Sequence, residues 1–281
     1  MITVRRAGAL TTVQDLGRPG WAHLGIPAAG AVDPPALALA NRLVGNPPEA
    51  AGLEITVTGC ALRFERAAVV AVTGAVPTRV RGGDFGVPFV VPARGLLEIG
   101  PAGTGVRTYL AVAGGLDVPP TLGSRATDTL SGLGPAPLRD GDVLPVGPAS
   151  GEPAPVWFSV PAAVTRPVAL RLWPGPRVDW FAAPEAIFAA EYAVSPRSNR
   201  VAARLTGPAL ERRTGGELAS EGLVLGAVQV PAAGEPLVFL ADHPTTGGYP
   251  VIGVVDPADL PALAQSRPGT PVRFLREGAW T

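Results

Sequence analysis

Lysine is absent from this 281-residue chain; all 23 basic residues are arginine. That excludes a Walker A loop, whose lysine reaches the terminal phosphates of a nucleotide. It also excludes Schiff-base and pyridoxal chemistry on this chain, which need an amine nucleophile. A biotin or lipoyl carrier is excluded as well, because both groups attach through lysine. Cysteine is nearly absent: Cys60 stands alone, so no internal disulfide forms, and a reducing cytoplasm suits the chain. Cys60 sits in the apolar run EITVTGCALRF, where it reads as a small packing residue or as a reactive thiol. The formal net charge is zero, which removes the electrostatic footprint of a nucleic-acid binder. No apolar run approaches the roughly 18 residues of a membrane span. The opening MITVRRAGALTTVQ has no apolar stretch after its arginines of the kind a signal peptide carries.

What is present is glycine and proline, 36 and 33 residues spread along the whole chain. They cut the apolar residues, 47% of the total, into short runs, which predicts many strands joined by turns. The runs LEITVTG, AAVVAVTG, GLLEIGP, TYLAVAGG, VALRLWPG, AVQVP and LVFLAD have strand length and strand composition. Helices are few. One is predicted from Asp33 as cap, with Pro34 at its first position, through ALALANRLV. Another starts at Asp256 and Pro257 and is kept short by Pro261, and a third is expected in DWFAAPEAIFAAEY with Asp179 as cap and Pro184 interrupting it. The stretches GIPAAGAVDPPAL (25–37) and GYPVIGVVDPADL (248–260) share seven of thirteen residues, and TGCAL (58–62) returns as TGPAL (206–210). The echoes predict two related β-rich halves, 1–155 and 156–281, with the Pro-Ala-Gly stretch 147–164 at the boundary. Because the two echoes have different offsets, the chain is expected to cross between the halves.

Chemistry-bearing residues gather in loops. His23 and His243, the only histidines, each lie just upstream of one copy of the repeat. Each reads as a turn residue or a functional one. His243 opens HPTTGGYP, where Thr245, Thr246 and Tyr249 offer side-chain donors and Gly247–Gly248 let the backbone approach an anion. A plain hairpin would use the same glycines. Near the N-terminus, VQDLGRPGWAHLG sets Gln14, Asp15 and Arg18 among glycines. LGSRATD carries Ser124 and Arg125, and SPRSNR carries Arg197 and Arg200; each arginine has the fork that fits a carboxylate or phosphate. No Ser-His-Asp order, Cys-His dyad, dinucleotide fingerprint or zinc spacing is present. Residue chemistry alone gives a β-rich, anion-tolerant binding protein with no self-contained catalytic centre.

TTVQDLGRPGWAHLGIPAAGAVD (11–33), LANRLVGNPPEAAGLEIT (39–56), YLAVAGGLDVPPTLGSRAT (109–127) and TTGGYP (245–250) resemble the KipA-like family. This family is also described as allophanate hydrolase subunit 2, or carboxyltransferase subdomains A and B. The resemblance implies a mainly β protein with two cyclophilin-like barrel halves and a few short helices. It implies a cytoplasmic component, the C subunit, of a 5-oxoprolinase complex that opens 5-oxo-L-proline to L-glutamate with ATP, accompanied by magnesium, as co-substrate. The partners it implies are the complex's B subunit, a KipI-like second cyclophilin-like protein, and its A subunit; no covalent cofactor is expected. Carried over by position, the site comprises Gln14, Asp15, Arg18, Ser124, Arg125, Thr245, Thr246, Gly247, Gly248 and Tyr249, with Glu221 and Gln229 of SEGLVLGAVQVP on family-like positions. Arg125, Arg18 and His243 are the expected catalytic groups, with Arg200 as a further binding arginine. No metal-ligating residue is expected. Two departures stand out: Asn199 where relatives usually have Asp, and a shortened glycine-rich stretch in DTLSGLGPAPL. Relatives also imply two other roles: a regulator that binds a cyclophilin-like kinase inhibitor, or the carboxyltransferase half of a biotin-dependent urea or amide carboxylase.

Overall fold

A computed structural model describes residues 1–149, 151–153, 167–213 and 218–280. The chain divides into two compact units, one comprising Met1–Arg18 with Ala29–Ala163, the other Pro19–Ala28 with Val164–Thr281. The expected boundary near residue 155 lies outside the described residues.

The first unit holds two five-stranded antiparallel sheets. One runs in the order Val143–Leu144, Ile2–Arg6, Cys60–Phe64, Leu96–Ile99, Val80–Arg81; the other runs Leu10–Gln14, Gly52–Thr56, Arg107–Val112, Ala68–Gly74, Pro88–Val91. Their inner faces share one core, in which Val4, Leu62 and Leu97 of the first sheet meet Val13, Leu53, Val72 and Leu110 of the second. Side chains alternate across a strand, and the near-continuous apolar runs AAVVAVTG and TYLAVAGG follow from burial on both faces. Val70, Val72, Leu110 and Val112 point into the shared core, while Ala71, Ala111 and Tyr109 point the other way, against a helix. That helix is Pro34–Leu43, and Leu37, Ala40 and Leu43 form its buried stripe. Asp33 caps it by accepting the Ala36 N–H at 3.1 Å, worth about 1 kcal/mol.

In the second unit seven strands close into a barrel, ordered Val168–Pro174, Val251–Val255, Ala227–Gln229, Leu237–Phe239, Ala202–Thr206, Tyr192–Val194, Pro271–Arg276. A parallel pairing closes it, with Val168 opposite Val272 and Leu170 opposite Phe274. Gly253, opposite Pro174 on the neighbouring antiparallel strand, is required there, because a Cβ would lie 2.6 Å from the Trp173 carbonyl. On the same strands Ala227, Leu237, Phe239 and Val251 form a separate cluster with Leu223, which lies just beyond a small ladder pairing Glu221–Gly222 with Thr246–Gly247.

The mainly β character with a few short helices holds. In the Asp256 start, the carboxylate accepts the Ala258 N–H at 3.0 Å, a 3-10 turn covers Pro257–Asp259, and the helix Leu260–Ala264 follows. The third helical expectation needs correction. Asp179 does not cap; it sits inside a 3-10 turn, Val178–Trp180, and the helix begins only after Pro184, at Ala186–Ala189. The two copies of the repeat share their Asp-Pro helix start but differ upstream. Val251–Val255 is a strand, whereas residues 28–32 are irregular, with Ala29 and Gly30 at φ 51 and 94. No helix among the described residues is long and apolar enough to cross a membrane.

Candidate functional site

Within the first unit, two loops lock together around Asp15. Strand Leu10–Gln14 ends at Gln14, and the chain turns through Asp15–Arg18. The Asp15 carboxylate accepts three hydrogen bonds, from Gly17 N at 2.7 Å, Ser124 Oγ at 2.6 Å and Arg125 N at 2.6 Å. Asp15 therefore welds its own turn to segment 121–127. Gln14 Nε2 donates to Thr12 Oγ1 and to the Thr127 carbonyl, both at 3.0 Å. Arg18 donates from Nε to the Thr121 carbonyl at 3.3 Å and from Nη2 to the Ala126 carbonyl. Gly134, in the glycine-rich stretch after Arg125, presses on the same place: a Cβ there would meet the Ala126 oxygen at 2.1 Å and Arg18 Nη2 at 3.0 Å. Arg18 is 1% exposed, and no carboxylate pairs with it among the described residues. Arg125 is the accessible cation of the group; its side chain is 36% exposed, donates to the Val118 carbonyl at 2.7 Å and pairs with exposed Asp117 at 3.0 Å. Segment 121–124 is a two-residue turn, closed by Thr121 N to Ser124 O at 2.8 Å and Ser124 N to Thr121 O at 3.2 Å. It holds Leu122 at φ 53, a left-handed conformation that a side-chain-bearing residue adopts only under strain.

In the second unit the HPTTGGYP segment is anchored and not loose. Thr246–Gly247 pairs with Glu221–Gly222, and Glu221 is held by a bidentate bond from Arg177, with Nε to Oε2 at 3.0 Å. Gln229 Nε2 donates to the Tyr249 carbonyl at 2.9 Å. A Cβ on Gly247 would lie 2.7 Å from Gln229 Nε2, so a larger residue there would have to push the Gln229 side chain aside. The Tyr249 ring is 47% exposed, with the Arg212 guanidinium 5.7 Å from its centroid. The Thr245 carbonyl accepts the Leu223 N–H at 2.9 Å. Thr245 Oγ1 also borders the excursion 19–28, 4.0 Å from where a Gly25 Cβ would stand. His243 is buried beside Phe239, with Nδ1 2.8 Å from the Pro244 carbonyl. A carbonyl only accepts, so Nδ1 carries the proton in the neutral ring and Nε2 is the basic nitrogen.

Arg200 forks onto a carboxylate, but an internal one: Nε and Nη2 each reach Asp242 at 2.9 Å, with the two side chains 2% and 0% exposed. Its fork is spent on the fold. Asn199 Oδ1 accepts the N–H groups of Val201 at 2.9 Å and Ala202 at 3.2 Å, a turn that an aspartate oxygen makes equally well. Cys60 packs in the first unit's core, and burial pushes its thiol up to about 12, which makes it inert.

The structure thus brings Gln14, Asp15, Arg18, Ser124 and Arg125 together in the first unit. It brings Glu221, Gln229, Thr246, Gly247 and Tyr249 together in the second. Sequence reasoning missed Thr127, Arg177, Arg212 and Asp242. Arg177 and Glu221 are 44 residues apart and Arg200 and Asp242 are 42, with no local pattern joining either pair. Among the described residues no group of three or more His, Cys, Asp or Glu side chains is placed to hold a metal ion.

The family described as carboxyltransferase domain, subdomain A and B, matches residues 24–276. The chain is 40% identical to the C subunit of 5-oxoprolinase from Escherichia coli (strain K12), covering 98% of this chain and 91% of that protein. It is 32% identical to urea amidolyase of Lachancea kluyveri, covering 97% of this chain and 17% of that protein. Among solved structures, TTHA0988 superposes with a TM-score of 0.88 at 40% identity over 98% of this chain; this chain spans 55% of that one. K. lactis urea amidolyase gives a TM-score of 0.88 at 30% identity, covering 99% of this chain and 19% of that one.

Proposed function

The chain belongs to the carboxyltransferase domain, subdomain A and B, family, and on that premise we propose that it is the C subunit of a 5-oxoprolinase. In this reading it opens the lactam of 5-oxo-L-proline to L-glutamate in the cytoplasm, with ATP as co-substrate and the B and A subunits as partners. The observation that carries the reading is its collinear identity with the Escherichia coli C subunit, covering nine-tenths or more of both chains. The domains in this reading are 1–155 and 156–281, each a cyclophilin-like half. The closed seven-stranded barrel of the second unit supports that architecture.

Lactam hydrolysis with ATP proceeds in balanced steps. The lactam oxygen takes the γ-phosphoryl group and ADP leaves. Water adds to the activated carbon, the ring C–N bond breaks to give the amine and an acyl phosphate, and a second water releases phosphate and carboxylate. The chain's task is to place donors where negative charge develops on oxygen, a role that does not need a side-chain nucleophile. Arg18 is held by two carbonyls in a buried place suited to the lactam oxygen. Arg125, exposed and loosely paired with Asp117, is suited to a phosphate. His243 Nε2, Thr245, Thr246 and the Tyr249 ring supply the second unit's binding groups. In this reading magnesium arrives with the nucleotide's phosphates.

A second reading, the carboxyltransferase part of an amide carboxylase, is favoured by the TM-score of 0.88 with K. lactis urea amidolyase. With no lysine in these 281 residues, the biotin in that reading is carried outside them. The complex purified from its host, assayed for ATP hydrolysis dependent on 5-oxo-L-proline with and without this chain, separates the readings. Loss of activity without this chain is expected. Full activity in its absence overturns the proposal, and biotin-dependent carboxyl transfer to urea favours the second reading.

A further inference from the structure

Around the Asp15 loop, three buried polar side-chain atoms have no hydrogen-bond partner among the described residues: Gln14 Oε1, Arg18 Nη1 and Thr127 Oγ1. Buried polar groups are almost always satisfied, so each orphan needs an explanation. These three are not scattered. Gln14 Nε2 is tied to the Thr127 carbonyl and Arg18 Nη2 to the adjacent Ala126 carbonyl, so the Gln14 and Arg18 side chains both reach the dipeptide that carries Thr127. Gln14, Arg18 and Thr127 are each at most 1% exposed. Arg18 is in addition a cation without a counter-ion among the described residues, which a buried site tolerates poorly.

The orphans have complementary characters. Arg18 Nη1 can only donate, Gln14 Oε1 can only accept, and Thr127 Oγ1 can do either. A carboxylate or phosphate would satisfy Arg18 but leave the Gln14 oxygen facing an acceptor. A ligand edge that carries a carbonyl oxygen beside an N–H satisfies both. That edge is a cis amide, as found in a lactam.

We propose that Arg18 Nη1, Gln14 Oε1 and Thr127 Oγ1 form the subsite for the reactive amide edge of the substrate, with the lactam oxygen at Arg18 and the lactam N–H at Gln14. The inference deepens the function proposed above and rests on it for the identity of the amide. It also gives the buried cation a purpose, since the lactam oxygen gains negative charge as it is activated. The Leu122–Gly123 turn borders the subsite. Its Thr121 carbonyl caps Arg18 Nε, its Leu122 is strained, and a Cβ on Gly123 would find no atom within 4 Å.

The test is calorimetric titration of the full-length chain, alone and in its native complex, with 2-pyrrolidinone, 5-oxo-L-proline and L-proline. Pyrrolidinone has the amide edge without the carboxylate, and proline has the carboxylate without the amide edge. Both lactams are expected to bind, and proline is not. Thr127→Val and Gln14→Leu are each expected to weaken lactam binding at least 10-fold, Thr127→Val with little change in melting temperature and Gln14→Leu with a fall from the loss of its bonds to Thr12 and the Thr127 carbonyl. Unchanged lactam affinity in both variants, or proline binding as tightly as pyrrolidinone, overturns the subsite. If a variant does not fold, a crystal of the wild-type chain soaked in pyrrolidinone decides. Lactam density between Gln14 and Arg18 supports the subsite, while water there, binding at crystal concentration only, or lactam elsewhere refutes it. Pyrrolidinone binding without any oxoproline-dependent ATP hydrolysis by the complex would remove the proposed function and leave the subsite standing.

Discussion

Arg18 in the first unit and Arg200 in the second are 1% and 2% exposed, yet their surroundings differ in kind. Arg200 meets a fully buried carboxylate in a bidentate pair, so its charge is neutralised within the fold. Among the described residues Arg18 meets only the carbonyls of Thr121 and Ala126 and keeps Nη1 unbonded, while the nearby carboxylate of Asp15 is spent on Gly17, Ser124 and Arg125. Burial alone therefore does not distinguish an arginine neutralised within the fold from one that is not. What a buried cation is paired with does.

The comparison is broken or sharpened most strongly at the Arg200 pair. Arg200→Met leaves Asp242 as an uncompensated buried charge and is expected to cost about 3–5 kcal/mol of unfolding free energy in denaturant titrations. Adding Asp242→Leu should recover most of that loss, because an apolar pair of similar volume replaces a buried ion pair at little cost. A double variant no more stable than the single would show that Asp242 is not the partner that matters.

Next in size is turnover. Arg18→Met removes a donor from the reacting oxygen and should lower oxoproline-dependent ATP hydrolysis by the complex about 10²–10³-fold. Equal loss from the exposed Arg197→Ala would mean that the assay reports arginine content and not a site.

Alkaline stability gives a smaller, graded effect. Burial holds the Cys60 thiol and the Tyr192 hydroxyl each up to about 12. Both groups are raised in the folded state, so their contribution is complete below the unfolded pKa, about 8.5 for the thiol and about 10 for the hydroxyl. It is lost as pH climbs through the folded values. Unfolding free energy should fall between roughly pH 8.5 and 12, and Cys60→Ala should flatten the lower part of that decline. A flat profile in the wild type would contradict the burial of both groups.

The smallest effect is expected at Asn199→Asp, within about 0.5 kcal/mol in the same denaturant titration. The oxygen that accepts the Val201 and Ala202 N–H groups is present in both residues. A larger change in either direction would mean that the turn is not what this position supplies.

Much of this was legible in the sequence where physics is local. Apolar runs of strand length became strands, and the Asp33–Pro34 and Asp256–Pro257 starts became capped helical turns. What was not legible depends on distant pairing. Periodicity cannot say that Val168–Pro174 closes a barrel with Pro271–Arg276, since a strand's composition is the same whichever neighbour it takes. Nor could residue type say that Arg200 is already occupied, because its carboxylate lies 42 residues onward. The closeness of Gly247 to the Gln229 side chain is likewise a contact no local pattern signals.

The central contrast is tested most directly by equilibrium unfolding of Arg18→Met beside Arg200→Met at the same pH and salt. If Arg18 is an unpaired cation kept for a ligand, its removal should leave the chain as stable as wild type or more so, while Arg200→Met loses several kcal/mol. Equal destabilisation by both substitutions would contradict the account.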